Sequence, residues 1–126
     1  ALHWRGRSKA SVVALREWGR SSWGPIADSH GLELQDFDGG LELRVPGWDK
    51  GSAVQYILAG SLADTVAVYL GDDLTDEDAF NALPESALGV LVRRKWRPTA
   101  ATAWIRPPDE LLRFLRQWDE ACLEEA

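Results

Sequence analysis

The sequence predicts an α/β fold, in which a partial parallel sheet is joined to a smaller part built around an antiparallel hairpin. Two apolar runs without alternation, residues 66–70 and 88–92, indicate strands that are covered on both faces, as the strands of parallel sheets are. Residues 32–37 and 41–45 instead alternate apolar with polar side chains around Asp38-Gly39-Gly40, a pattern typical of a hairpin with one face in water. Together these patterns predict two kinds of sheet in one chain.

The smaller part is assigned to residues 1–47 and contains a strand, a helix and the hairpin. Residues 1–5 alternate weakly, as a strand does, and Ser8 is suited to cap the helix that follows. Residues 19–25 contain two glycines and a proline, which predicts that the helix ends there. Pro46 is expected to end the second hairpin strand. The apolar residues that recur at helical spacing are Val12, Leu15 and Trp18.

The larger part is assigned to residues 48–126 and consists of β/α units of the parallel sheet. A helix begins near Lys50, and the last helix opens at Pro107 with acidic residues in its first turn. Cys122 falls on the apolar stripe of the last helix and is expected to be buried there. The apolar positions of the first of these helices are Ala53, Val54, Ile57 and Leu58, and those of the last are Leu111, Leu115, Trp118 and Cys122.

The composition argues against two classes of partner. The net charge of -6 and the pI of about 4.8 argue against nucleic acid, because binding to a phosphate backbone needs a basic surface. No apolar run approaches the ~20 residues that a membrane-spanning helix needs.

The single cysteine cannot form an internal disulfide, which favours a cytoplasmic location. Two basic groups are expected to be solvated surface, namely Arg5, Arg7, Lys9, Arg16 and Arg20, and Arg93, Arg94, Lys95 and Arg97.

The most informative feature is the acidic segment, residues 71–80, which reads Gly-Asp-Asp-Leu-Thr-Asp-Glu-Asp-Ala-Phe. Its five carboxylates directly follow an apolar strand, at the end of the sheet where α/β proteins bind ligands. Carboxylates this close together repel one another unless water or a cation compensates them, and oxygen ligands suit Mg²⁺. The segment therefore predicts a Mg²⁺ site and, through the metal, a phosphate ligand.

Part of the acidic segment also has a purely structural explanation. Asp76 is suited to cap a helix, and Glu77 and Asp78 favour the helix dipole. This explanation does not account for Asp72 and Asp73, which come directly after a buried strand. A calcium loop of the EF-hand type is excluded, since the sixth position counted from Asp72 is a glutamate where the loop needs glycine.

Lys50 is the second candidate for a chemical role. A cation at the start of a helix is unfavourable for the helix dipole, so another role is expected for it. A lysine beside a carboxylate-held metal suits phosphoryl transfer, because the two cations neutralise the charge that develops on the phosphoryl oxygens. For Lys50 taken alone, an ordinary surface helix start remains the alternative.

The acidic segment, together with Lys50-Gly51, resembles the last two motifs of the trehalose-6-phosphate phosphatases, a family of the haloacid dehalogenase superfamily. Residues 1–5 resemble a strand of that family's cap domain. Residues 41–44, with Lys50 eight residues after Glu42, resemble its return from cap to core. The resemblance implies that residues 1–47 are part of an α+β cap and that 48–126 are the second half of a Rossmann-like core.

The resemblance also implies roles for individual residues. Asp72 would be a direct Mg²⁺ ligand, with Asp76 and Asp73 acting directly or through water. Lys50 would steady the phosphoryl group and the nucleophile. Glu42 would bind the disaccharide of trehalose 6-phosphate, a task that suits a carboxylate because it accepts hydrogen bonds from sugar hydroxyls.

The superfamily's nucleophile, an aspartate in an Asp-x-Asp-Gly-Thr motif, is not recognised in this chain. Residues 36–40, Asp-Phe-Asp-Gly-Gly, look similar, but the strand before them alternates where a buried core strand would be apolar. Only eleven residues separate Asp38 from Lys50, too few for the intervening elements of the fold. We therefore expect the nucleophile upstream, this chain alone to be inactive, and a partner in the missing N-terminal half of the enzyme or in a second chain.

Two further functions remain open at this point. One is a related sugar phosphatase that acts on sucrose phosphate or on a mannosylglycerate-type phosphate, with Glu42 contacting a different sugar. The other is a non-catalytic pseudo-phosphatase module that keeps the metal segment without the nucleophile. Both alternatives share the predicted fold.

Overall fold

The computed structural model describes residues 1–124, which form six strands and four helices. In chain order these are β1 (Leu2–His3), α1 (Lys9–His30), β2 (Glu33–Phe37), β3 (Gly40–Arg44), α2 (Lys50–Ala59), β4 (Val68–Gly71), α3 (Asp76–Ala82), β5 (Leu88–Val92), β6 (Ala103–Ile105) and α4 (Asp109–Glu124).

The strands form two separate sheets of three strands each. The hairpin sheet has the order β1-β3-β2 and is antiparallel, with Phe37 opposite Gly40 across a two-residue turn. The parallel sheet has the order β4-β5-β6, with Gly71 opposite Leu91. The predicted α/β class and the hairpin are confirmed. Strand β6 was not predicted, because its three residues carry too short a pattern to recognise.

The helix α1 is longer than predicted, and the expectation that residues 19–25 end it is wrong. Ser8 caps its start as expected, but the helix continues through Pro25 to His30. A proline inside a helix costs about 3 kcal/mol, which packing on the hairpin sheet offsets. Gly19 permits that packing, since a Cβ there would lie 2.9 Å from the Leu41 side chain.

The parallel sheet packs against α3, and α3 packs against α2, an approach that depends on a glycine. Val90 and Leu91 of β5 are fully buried, and Phe80 of α3 is buried against the sheet. Gly51, in the first turn of α2, is buried where the two helices meet. A Cβ at Gly51 would lie 2.5 Å from the carbonyl oxygen of Asp78, so only glycine allows this approach.

Replacing Gly51 by alanine is expected to lower the free energy of unfolding by about 1–3 kcal/mol, because the new methyl group would force the helices apart. Gly60, at the end of α2, is the matched control, since its added Cβ would find no atom nearer than 3.7 Å. Gly60→Ala should be neutral or slightly stabilising. Urea denaturation of both variants measures the difference, and equal midpoints would contradict this packing account.

A large apolar surface is left exposed by the described residues. Ile57 on the predicted apolar face of α2 is 64% exposed, and the expectation that Cys122 is buried on α4 is wrong, since it is exposed. Strand β4 has a neighbour on one side only. The side chains that the sequence pattern assigns to a core therefore lack the elements that would cover them within residues 1–124.

Across residues 1–124, every helix is too short or too polar to cross a membrane.

Candidate functional site

The acidic segment lies at the carboxyl end of β4, next to the turn of the hairpin sheet. Strand β4 ends at Gly71 and α3 begins at Asp76, so residues 72–75 form the connecting loop. A Cβ on Gly71 would lie 2.5 Å from Cβ of Asp76, so glycine is required where the loop folds back over the strand end. This fold-back brings Asp76 beneath the backbone of Asp72 and Asp73.

The carboxylate of Asp76 is buried and accepts four hydrogen bonds. Its Oδ1 accepts from Nζ of Lys50 at 2.5 Å and from the hydroxyl of Tyr69 at 2.9 Å. Its Oδ2 accepts from the backbone N–H groups of Asp72 at 2.7 Å and Asp73 at 2.8 Å. Asp76 therefore joins the predicted catalytic lysine to the predicted metal loop.

Burial and these donors act in opposite directions on the carboxyl group of Asp76. Burial raises its pKa, but the hydrogen bonds from Lys50, the Asp73 backbone, Tyr69 and the Asp72 backbone together hold the pKa below its ordinary value. The pKa of Tyr69 is raised, first by burial and then by its bond to the carboxylate. Asp76 is thus a stable anion and Tyr69 a neutral donor at neutral pH.

Asp72 and Asp73 have different surroundings. Oδ1 of Asp73 accepts from the backbone N–H of Leu74 at 2.6 Å and from that of Asp38, in the hairpin turn, at 2.9 Å. The side chain of Asp72 is exposed, and its carboxylate accepts no hydrogen bond from the described residues. Asp72 is therefore the carboxylate of the loop that is free to take a ligand.

The donor set fits one part of a Mg²⁺ site. An exposed carboxylate at the end of a parallel strand offers the oxygen ligand that Mg²⁺ prefers. Both oxygens of Asp76 are already occupied by protein donors, and residues 1–124 place no three acidic, histidine or cysteine side chains around one point. Asp72 would hold the ion, and the other ligands would come from water, substrate or a further segment.

Lys50 and Glu42 line the same cleft, which lies between the hairpin sheet and the start of α2 and has a volume of about 530 Å³. Glu42 reaches it from β3. Lys50 is held there by a reciprocal cap, in which Asp49 Oδ1 accepts from the Ser52 N–H at 2.8 Å and Ser52 Oγ accepts from the Asp49 N–H at 3.1 Å. The cleft joins the predicted sugar-binding and phosphoryl-binding residues.

Three other groups at this site were not singled out by the sequence analysis. Tyr69 donates to Asp76, and Trp48 lines the cleft. Arg44 donates to Asp78 at 2.7 Å, a bond that raises the pKa of Arg44 and ties the hairpin sheet to α3. Arg44 and Trp48 lie two and six residues after Glu42 in the sequence. Their closeness to that predicted site residue could have identified them as candidates.

The segment that resembles a nucleophile motif lies in the hairpin sheet. Asp36, on β2, is ion-paired with Arg20 and lies 3.6 Å from Arg16, and Asp38 in the turn is ion-paired with Arg93. Neither aspartate follows a strand of the parallel sheet. This placement agrees with the hypothesis that the nucleophile is not among residues 36–40.

Stability should fall in acid because of two carboxyl groups in α3. Burial raises the pKa of Glu77, but the backbone N–H of Ala100 and the side chains of Arg97 and Thr99 outweigh it, and both Glu77 and Asp76 have lowered pKa values. A carboxyl group with a lowered pKa in the folded protein stabilises the fold at pH values above its pKa in the unfolded chain, which is about 4. That stabilisation is lost as the pH falls through the pKa of the folded protein. Urea midpoints should therefore be level from pH 7 to about 5 and decline below about 4.

The variant Glu77→Gln should show a shallower decline over the same range, because one of the two groups no longer titrates. A midpoint that stays level down to pH 3 in the unmodified protein would contradict the lowered pKa values.

Comparison with known proteins identifies the family of this chain. The family model described as trehalose-phosphatase matches residues 11–103. Probable trehalose-phosphate phosphatase H of Arabidopsis thaliana is 39% identical over 84 residues, which are 61% of this chain and 24% of that protein. The chain therefore spans about a quarter of that relative's length.

Two solved structures have a similar fold. The C-terminal domain of C. albicans trehalose-6-phosphate phosphatase matches with a TM-score of 0.73 at 23% identity, covering 90% of this chain and 49% of that one. A trehalose-6-phosphate phosphatase related protein matches with a TM-score of 0.64 at 29% identity, covering 90% of this chain and 46% of that one. The first of these likenesses bears on the fold alone.

The matched range contains every site residue described above, from Glu42 and Lys50 to the acidic segment. It runs from within α1 to the first residue of β6 and so takes in β2, β3, β4 and β5 whole. A match over most of the chain that includes the site, together with the shared fold, shows that the chain belongs to the trehalose-phosphatase family.

Proposed function

We propose that these residues form the metal-holding and sugar-facing part of a Mg²⁺-dependent phosphatase that hydrolyses trehalose 6-phosphate to trehalose and phosphate. The observation that carries the proposal is the hydrogen bond of 2.5 Å from Lys50 to Asp76. This bond holds the Lys50 ammonium beside the loop of residues 72–75, which carries the Asp72 carboxylate, unpaired among the described residues. Lys50 also lines the cleft that Glu42 reaches from the hairpin sheet.

In the proposed mechanism the chain positions the phosphoryl group. The Lys50 ammonium donates to a phosphoryl oxygen, and Asp76 keeps that ammonium in place by accepting a hydrogen bond from one of its three N–H groups. Mg²⁺ bound at Asp72 would supply a second positive charge for the phosphoryl oxygens. The attacking carboxylate is an aspartate expected upstream of this chain. Its attack on phosphorus would break the bond to the trehalose oxygen, which a second upstream aspartate would protonate, and water would then hydrolyse the aspartyl-phosphate.

Glu42 is proposed to bind the sugar. Replacing it by glutamine should raise KM for trehalose 6-phosphate about tenfold with little change in kcat, because the neutral amide is a weaker acceptor for sugar hydroxyls. The matched control is an aryl phosphate, which has no sugar and should be hydrolysed equally by both proteins. An equal loss with both substrates would assign Glu42 to the phosphoryl site instead.

We further propose that the exposed apolar faces are covered by the N-terminal half of the same enzyme or by a second chain. The support is the open side of β4 and the exposed side chains on α2 and α4, among them Tyr56 at 84% exposure. An uncovered edge of a parallel sheet is unstable in isolation, so residues 1–126 expressed alone should be inactive and prone to aggregate.

The experiment that tests the proposed function is phosphate release by the intact polypeptide, meaning the longest one that its coding sequence specifies, with a panel of sugar phosphates. The proposal expects trehalose 6-phosphate to be the preferred substrate. Turnover of sucrose phosphate or of a mannosylglycerate-type phosphate alone would assign a related sugar phosphatase. No turnover, with no Asp-x-Asp-Gly-Thr motif upstream, would assign the non-catalytic module. The cytoplasmic location stays a prediction.

A further inference from the structure

The backbone of the metal loop is held at its carbonyl groups by two arginines. Nη1 of Arg93 donates to the carbonyl oxygen of Asp72 at 2.9 Å, and Nη2 of Arg97 donates to that of Asp73 at 2.6 Å. The N–H groups of the same two residues donate to Asp76. Both loop residues are therefore fixed through donor and acceptor alike.

The register of the parallel sheet accounts for this arrangement. Because Gly71 of β4 pairs with Leu91 of β5, the residues that follow the two strands run side by side. Arg93 directly follows β5, and its carbonyl oxygen accepts from Nε1 of Trp104 at 2.8 Å. The arginine backbone is thus anchored to β6, and its side chain is directed to the neighbouring loop.

Arg97 is held more tightly than an ordinary surface arginine. Its side chain is only 13% exposed and is ion-paired with Glu77. Glu77 also accepts from the Thr99 hydroxyl at 2.8 Å and from the Ala100 N–H at 2.7 Å. The sequence analysis expected the basic residues between positions 93 and 97 to be solvated surface. That expectation is wrong for Arg97, whereas Arg94 is exposed as predicted.

Arg93 also connects the loop to the hairpin sheet. It is ion-paired with the carboxylate of Asp38 in the hairpin turn, while the N–H of Asp38 donates to Asp73 at 2.9 Å. The expectation of a solvated side chain is wrong for Arg93 as well. Its guanidinium joins the turn of one sheet to the loop that follows the other.

We infer that Arg93 and Arg97 are positioning residues that set the direction of the Asp72 carboxylate toward a divalent cation. This inference rests on the proposed function, in which Asp72 holds that cation. Since the Asp72 side chain accepts no hydrogen bond from the described residues, the position of its backbone sets which region its carboxylate can reach by side-chain rotation. A metal ligand that is already oriented before the metal binds gives a higher affinity. Removing the groups that orient it typically lowers metal affinity by roughly 10–100-fold.

The test compares Arg93→Gln and Arg97→Gln with the control Arg94→Gln in the intact polypeptide, using Mn²⁺ alone as the probe. Electron paramagnetic resonance measures the Kd for Mn²⁺ without substrate, and amide hydrogen exchange reports on residues 72 and 73. Both variants should bind Mn²⁺ about tenfold more weakly and exchange these amides faster, whereas Arg94→Gln should match the unmodified protein. Should Arg97→Gln fail to fold, the more exposed Arg93 still provides the comparison.

Failure of this inference and failure of the proposed function give different results. If both variants bind Mn²⁺ and exchange these amides as the unmodified protein does, or if that protein binds no Mn²⁺, the inference is overturned. If the variants show the expected losses but the unmodified protein releases no phosphate from any sugar phosphate, the inference holds and the proposed function is wrong.

Discussion

Replacing Lys50 by methionine is expected to lower kcat for trehalose 6-phosphate about a thousandfold in the intact polypeptide. Methionine keeps the length and apolar stem of the side chain but removes the ammonium that would donate to the phosphoryl oxygen. Lys50 is half exposed, and Asp76 retains three other donors, so the fold should survive the change. Steady-state phosphate release, with circular dichroism as a check of folding, measures the effect.

The control for this prediction is Lys9→Met, which removes an exposed lysine at the start of α1. Its activity should stay within about twofold of the unmodified protein, because exposed charges at a distance are screened by solvent. Lys50→Met retaining more than about a tenth of the activity would show that the ammonium does not act on the transferred phosphoryl group.

Replacing Asp76 by asparagine is expected to lower the free energy of unfolding by about 3 kcal/mol. All four donors around this buried side chain need an acceptor, and an amide presents a donor to two of them whichever way it is turned. The loop of Asp72 and Asp73 would lose the anchor for its N–H groups, so activity should fall as well. Urea denaturation at pH 7 gives the stability change directly.

The matched control is Asp119→Asn, which makes the same chemical change at an exposed position on α4. It should change stability by no more than about 0.5 kcal/mol. Equal unfolding midpoints for the two variants would mean that the four bonds to Asp76 contribute little, and the role of Asp76 in holding the loop would have to be abandoned.

The sequence predicted the fold well where local pattern and tertiary packing agree. The hairpin around Asp38-Gly39 and the strand at residues 88–92 were predicted because side-chain alternation and an uninterrupted apolar run follow directly from burial. The course of α1 through Pro25 was missed, because its continuation depends on packing against a sheet formed later in the chain. The exposure of Cys122 was missed because its apolar stripe implies a neighbour that residues 1–124 do not supply.

The sequence analysis identified several residues of the site but not the hydrogen bonds that join them. Lys50 and Asp76 were both singled out, and the structure brings them into contact across 26 positions of sequence. Tyr69, Arg93 and Arg97 were missed because their bonds depend on how β4 and β5 are registered, which a single sequence does not state. One feature of the sequence could have indicated Arg93 and Arg97. They follow the apolar run 88–92, which comes after the acidic segment in the chain.

The most direct test of the central claim is the metal dependence of trehalose 6-phosphate hydrolysis by the intact polypeptide and by its Asp72→Asn variant. The claim predicts that a chelator abolishes phosphate release, that added Mg²⁺ restores it, and that Asp72→Asn stays inactive or needs far more Mg²⁺. Hydrolysis that continues in the chelator, or an Asp72→Asn variant with an unchanged requirement for Mg²⁺, would contradict the assignment of the acidic segment as the metal-holding part of this phosphatase.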